Sequence, residues 1–246
     1  MFRVFYRDDK VVFDASGNAF VRVGDEKHKL TADQIRELQI DKGQLEFEQE
    51  PCPLNYPQDF NAVLLRRFFD GLKRLRGISD DHSESELLEH RHLGRVRDGA
   101  FVPNNACALL FAKDPLALFP GCKLLFLRVD GEVERSGDQY NIVKRVPVEG
   151  PLPLLIEESA AVLESQLREF SRLGNDGKFF SAPEYPKPAW YEALVNACVH
   201  RSYGLRNMNI FVKMFDDKLV IESPGGFPPL ITPENIYGAH SPRNPT

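Results

Sequence analysis

The run from Tyr185 to Pro228 constrains this chain more than any other stretch. Tyr185–Tyr203 reads YPKPAWYEALVNACVHRSY. Glu192, Asn196 and His200 recur at four-residue spacing, so a helix stacks all three on one face. Ala189, Ala193 and Ala197 sit beside that stripe and keep the surface shallow. Tyr191, Leu194, Val195 and Cys198 fall on other faces and can pack inward. Carboxylate, carboxamide and imidazole beside small residues make a poor core but a workable site. The carboxylate can take a proton from a water, and the amide oxygen can ligate a hard cation such as Mg²⁺. Asn209–Phe215 then reads as a strand, Asp216–Lys218 as a turn and Leu219–Glu222 as the return strand. The return strand runs into Ser223-Pro224-Gly225-Gly226-Phe227-Pro228. Adjacent glycines let a backbone turn sharply and approach a ligand.

Helix with Glu and Asn, hairpin, then an acidic residue before a glycine turn resembles the ATP site of the GHKL superfamily. That group includes DNA gyrase, the mismatch-repair ATPases, histidine kinases and the large heat-shock chaperone. One branch is closer. The pattern P-x-x-A-x-x-E-A-x-V-N-A-x-x-H-R-x-Y stands here as Pro186 to Tyr203. It is followed by Asp216 to Pro228 and by Arg243-Asn244-Pro245. This order is similar to bacterial transcriptional regulators also labelled RecG-like ATP-dependent DNA helicases. These pair a Schlafen/AlbA-like DNA-binding domain with a C-terminal GHKL-type ATPase domain. Asn105–Pro120 (NACALLFAKDPLALFP) resembles the same family. Ala19–Leu38 resembles the last strand and exit helix of the AlbA-like domain.

The resemblance implies ATP and Mg²⁺ as cofactors. It implies Glu192 as the general base, Asn196 as the Mg²⁺ ligand, and His200, Glu222, Gly225, Gly226, Arg243 and Asn244 around the nucleotide. For His200, a structural role at a helix C-terminus stands equally open. The sequence departs from the family in three places. Ser202 stands where the family has Asp. Glu222 stands at the superfamily's adenine-binding aspartate, with Pro224 at the first glycine of D-x-G-x-G. The chain ends directly after Arg243-Asn244-Pro245, before the second glycine-rich segment that covers the phosphates. Its start, FRVFY, has none of the AlbA-like core before it. The expectation is therefore a fragment of a longer protein.

Composition sets outer bounds. The 246 residues carry 42% hydrophobic and 27% charged side chains, ordinary for a globular chain. There is no apolar run of the roughly 18 residues a membrane helix needs, and no long apolar centre of a signal peptide near the start. Cys52, Cys107, Cys122 and Cys198 form no C-x-x-C pair, so neither a zinc ribbon nor a disulfide framework is indicated. A reduced cytoplasmic setting is the simplest account. The net charge of −5 argues against a large nucleic-acid surface, which needs clustered cations. Arg66, Arg67, Lys73, Arg74 and Arg76, with Arg91, Arg95 and Arg97, read as a solvated helix face and loop. His90 and His92 do not share a helix face and read as surface residues, not metal ligands.

Along the chain, residues 1–23 read as a hairpin around Ala15–Asn18. Thr31 caps a helix through Leu38, and Leu45–Phe47 reads as a strand. The proline-rich stretch Pro51–Pro57 marks the main boundary. Asp59 can cap a helix with an apolar face of Leu65, Phe68, Phe69, Leu72 and Leu75. Ser83 and Glu86 form a capping box for a second helix. Val96 to Val102 suggests a small hairpin around Asp98-Gly99, and two helices and a hairpin resemble a winged-helix unit. Ala106–Phe111 reads as a buried helix, Lys123–Arg128 and Asn141–Val148 as strands. Leu152 to Leu173 reads as one long helix capped by Gly174, and Pro188 suits the first turn of the Glu192 helix.

The reading is an α+β chain of three parts. Residues 1–50 are the remnant of an AlbA-like domain, 51–104 a helical linker, and 105–246 a truncated GHKL-like α/β sandwich. The leading function is ATP binding within a DNA-associated transcriptional regulator. The partners are a nucleotide and, through the full-length protein, DNA, with no membrane. Two alternatives are a non-hydrolysing scaffold or dimerisation domain, and a winged-helix-type DNA-binding regulator. Hydrolysis and homo-oligomer formation are left open.

Overall fold

The chain parts into two compact units, one holding Met1–Glu50 with Gly225–Thr246, the other Pro51–Pro224. The computed structural model describes residues 10–225 apart from 24, 78–81, 174–176 and 206. The chain is mixed α and β with several small sheets.

In the first unit, Asp14 builds the expected turn by accepting from the backbone N–H groups of Ser16 at 2.9 Å and Asn18 at 2.8 Å. These bonds, the one from Asn18 foremost, hold its carboxyl below the usual carboxylate range. The described strand pair lies further on than expected. β1 (Phe20–Val23) runs antiparallel to β2 (Glu26–Lys29), with Phe20 opposite Lys29. Residues 1–9, half of the expected hairpin, lie outside the described residues. Thr31 caps α1 (Ala32–Asp41) through a reciprocal box with Gln34. Leu45–Phe47 is not a strand. The chain makes a 3₁₀ turn at Phe47–Gln49 and buries Phe47. One apolar anchor needs no period-two run, and a three-residue segment carries too little periodicity to tell the two apart.

The second unit opens with a helical layer. Asn61, not Asp59, caps α2 (Ala62–Arg76): its Oδ1 accepts from Val63 and Leu64. Ser83 and Glu86 cap α3 (Glu84–His90) as a capping box. The hairpin β3 (Gly94–Arg97) and β4 (Ala100–Pro103) turns at Asp98 and Gly99, both with φ near +50 to +78°. Two consecutive positive φ values match the twist of a tight hairpin. Asn104 caps α4 (Asn105–Phe111). Phe60, Leu64, Leu65, Phe69, Leu87, Leu88, Leu93, Cys107 and Phe111 form one buried cluster, and Leu154 packs against it. The helical layer is thus continuous with the elements after residue 104.

The sheet follows. β5 (Lys123–Val129) pairs antiparallel with β6 (Ile142–Glu149) and parallel with β9 (Ile210–Met214). β9 pairs antiparallel with β10 (Leu219–Glu222), giving the order β10-β9-β5-β6. Helices α5 (Leu152–Glu164) and α6 (Lys187–Val199) accompany it. Between them, β7 (Glu169–Leu173) and β8 (Phe179–Pro183) pair antiparallel. The long helix expected to reach Leu173 therefore stops at Glu164. Leu167 and Phe170 fall in helical phase with Leu163, but burial ends at Leu163 and Phe170 is exposed. Asn175-Asp176-Gly177, between two strand-forming segments, is a hairpin signal. Among the described residues no helix is long and apolar enough to cross a membrane.

Candidate functional site

Helix α6 begins with Pro186 at its N-cap and Pro188 in its first turn, where a missing N–H costs nothing. Trp190, Leu194, Ala197 and Cys198 are buried. Glu192, Asn196 and His200 are exposed, on the arc opposite that buried stripe. Asn196 accepts the backbone N–H of His200 at 2.9 Å through its own carbonyl, so its carboxamide is not used in that bond. His200 is the helix C-cap.

The strand after α6 is reached through a tightly held loop. Arg201 is only 2% exposed. Its guanidinium donates to the carbonyls of Ser202 at 3.1 Å and Leu205 at 2.9 Å, and to that of Met208. The ring of Tyr203 lies 4.6 Å from the guanidinium carbon, within cation–π range. The Tyr203 hydroxyl donates to Cys198 O at 2.7 Å. The loop therefore closes back on the end of α6.

Strand parity then sorts the end of the hairpin. In β9, Ile210, Val212 and Met214 are buried, alternating with half-buried Phe211 and Lys213. Ile221 sits opposite Val212 and Glu222 opposite Phe211. Directly opposed residues share a sheet face. Glu222 therefore lies on the Phe211/Lys213 face, and its carboxylate meets Lys213 Nζ at 3.1 Å. Glu134, from the loop between β5 and β6, reaches the same ammonium at 3.1 Å. Burial lowers the Lys213 pKa, but hydrogen bonds to Glu134 and Glu222 outweigh it and the net direction is upward. Ser223, one residue on, returns to the other face, and its hydroxyl donates to Ala197 O in α6 at 2.7 Å. Ser202 N–H donates to Pro224 O at 2.9 Å. Two bonds thus fasten the exit of β10 to the C-terminal end of α6.

The structure thus brings Ser223 and Pro224 against α6, while Glu222 turns away from it. Gly225 has φ 129° and falls in the first unit. Gly226, Arg243 and Asn244 lie outside the described residues. Arg201, Tyr203 and Ser223 were not singled out from sequence. Arg201 and Tyr203 sit inside the H-R-x-Y pattern, and only their burial reveals what they hold. His90 and His92 are exposed. No group of three or more His, Cys, Asp or Glu among the described residues is placed to hold a metal ion. A single exposed carboxamide is too little for an all-protein cage. Mg²⁺ is usually held by one or two carboxylates together with waters and substrate phosphates.

Residues 207–246 match the family model described as "Putative ATP-dependent DNA helicase recG C-terminal". The matched segment takes in β9, β10 and the glycine turn. No curated protein matches the chain. Among solved structures, the DIP2311 protein from Corynebacterium diphtheriae is similar in fold, with a TM-score of 0.56 at 21% sequence identity. The similarity covers 93% of this chain and 43% of that one. The chain thus spans less than half the length of that neighbour.

Proposed function

We propose that this chain is the nucleotide-binding part of a DNA-associated regulator, taking ATP with Mg²⁺. The observation that carries the reading is the family match over residues 207–246, a segment that follows directly on a helix with an exposed Glu192–Asn196 stripe. In this reading residues 105–246 are a GHKL-like sandwich, 1–50 belong to an AlbA-like module, and 51–104 link them. Asn196 supplies an oxygen to Mg²⁺, and Glu192 is the base for an attacking water in the full-length protein. His200, exposed at the C-terminal end of α6, is proposed to approach a phosphate. Glu222 lies on the Phe211/Lys213 face of the sheet, paired with Lys213.

Calorimetric titration of the full-length protein with ATP tests this. Binding is expected with Mg²⁺ and is expected to fall when the metal is chelated. Asn196→Ala should weaken the Mg²⁺-dependent binding roughly tenfold, the worth of one polar contact. Glu192→Gln should keep binding and lose turnover, since it preserves shape but removes the base. An absence of ATP binding by the full-length protein overturns the reading.

One observation favours a second reading, a non-hydrolysing scaffold. The superfamily's acidic position is occupied by Glu222, already neutralised by Lys213. No nucleotide binding by the full-length protein is the result that reading expects.

A further inference from the structure

We infer that the cavity between α2 and the start of α3 is a site for a small zwitterion, an α-amino acid with an apolar side chain. The site shares no residue with the α6 face and does not rest on the nucleotide-binding reading.

The cavity measures about 290 Å³. That is the small end of the range for ligand pockets and suits a single amino acid better than a nucleotide. Part of its lining is apolar, and there Leu65 and Phe69 are both buried. The charged part is Arg66, Asp70 and Lys73 from α2 and Glu84, the first residue of α3. Two cations and two anions leave the lining with no net charge. A ligand with one charge would meet a like charge there, whereas a ligand carrying both signs can meet an opposite charge with each.

The charges are available. Arg67 is engaged by Glu157 of α5 at 2.5 Å. Its neighbour Arg66 makes no hydrogen bond or ion pair among the described residues, and neither does Asp70. The two stand four positions apart on the helix with the cation first, the weaker order for pairing with each other. An α-amino acid carries a carboxylate and an ammonium on one carbon. The carboxylate can take two parallel N–H donors from Arg66, and the ammonium can meet Asp70. Glu84 is held for that second contact. The Tyr56 hydroxyl donates to its Oε2 at 3.0 Å, and the Tyr56 ring meets Phe60 at 5.7 Å and Phe101 at 5.1 Å. Burial foremost, with Glu84 adding to it, pushes the Tyr56 pKa up, so the hydroxyl keeps its proton and stays the donor. The apolar side chain of the ligand then lies against Leu65 and Phe69.

The test is calorimetric titration of the full-length protein with L-valine, L-leucine, L-isoleucine and L-methionine in turn. At least one should bind. For the tightest binder, the analogue lacking the ammonium and the analogue lacking the carboxylate should each bind roughly tenfold or more weakly, the worth of a hydrogen bond to a charged group. Arg66→Gln should weaken the amino acid by a similar factor and leave the amine analogue unchanged. Asp70→Asn should weaken the amino acid and leave the carboxylate analogue unchanged. Both residues are exposed, so both variants should fold, which an unchanged denaturation midpoint checks. No binding of any of the four at millimolar concentration, an analogue that binds as tightly as its parent, or an affinity indifferent to either substitution overturns the inference. None of these outcomes depends on whether ATP binds.

Discussion

Arg201 shows how much one side chain holds in place. A buried guanidinium is tolerable only when its donors are used, because desolvating a charge is costly. Here three loop carbonyls and an aromatic face surround it. Removing it leaves those carbonyls to find other partners at the end of α6. Arg201→Met should destabilise the protein by about 3 kcal/mol in urea denaturation, on the scale of breaking a buried charged network. Arg201→Lys should rescue only part of the loss, since an ammonium cannot present a planar fork to several carbonyls. A loss within about 0.5 kcal/mol for the Met variant would show that the loop holds itself. The neighbouring Cys122 and Cys198 have thiols pushed up to about 12, chiefly by burial, against a lowering influence from Arg201. They are buried side chains of the core and not nucleophiles.

At the scale of elements, hairpins decide more than helices. The β3–β4 hairpin is built on Gly94. A Cβ at that position would collide with the Val102 carbonyl oxygen and the Phe101 ring. Phe101 also meets the Tyr56 ring at 5.1 Å, so it cannot retreat freely. Gly94→Ala should therefore cost about 2–3 kcal/mol, the range of overpacking a tight site, measured as a drop in the denaturation midpoint. An unchanged midpoint would mean the hairpin re-registers at little cost. The β7–β8 hairpin teaches the complementary lesson. Leu163, Leu167 and Phe170 keep helical phase in sequence, yet the helix stops once its buried face is used. Periodicity shows which residues a helix would align, but a hairpin pairing can claim the same residues when a turn sequence follows.

Across the whole molecule, ion pairs tie distant segments of the second unit. Arg168, at the start of the β7–β8 hairpin, pairs with Glu184 at 2.5 Å and also donates to Asp216 O at 3.4 Å, in the β9–β10 turn. The bond from Arg168, offset in part by burial, holds the Glu184 carboxyl below the usual carboxylate range. A carboxylate with a lowered folded pKa stabilises the fold above its unfolded value of about 4.3 and loses that contribution as pH falls through the folded value. Stability should therefore decline below about pH 4. An Arg168→Gln variant should show a shallower decline than wild type over that window. Identical pH profiles for the two would show that this pair carries none of the acid sensitivity.

Local chemistry was legible in the sequence because it is local. The Thr31 and Ser83 capping boxes, the Asp98-Gly99 turn, the strands on either side of Asp216-Asp217 and the proline start of α6 depend on residues within four positions of one another. That Glu192, Asn196 and His200 share one side of the helix follows from helical spacing, but that this side is exposed does not. Strand parity at the end of β10 does not either, because register is set by pairing with β9 and a shift of one residue turns every side chain to the other face. That pairing, and the two bonds from Ser202 and Ser223 to the neighbouring elements, put Ser223 against α6 and Glu222 against Lys213. The continuity of the helical layer with the sheet was equally invisible. It rests on Cys107, Phe111 and Leu154 meeting residues 40 to 90 positions earlier, contacts that no local pattern encodes and only the folded chain makes.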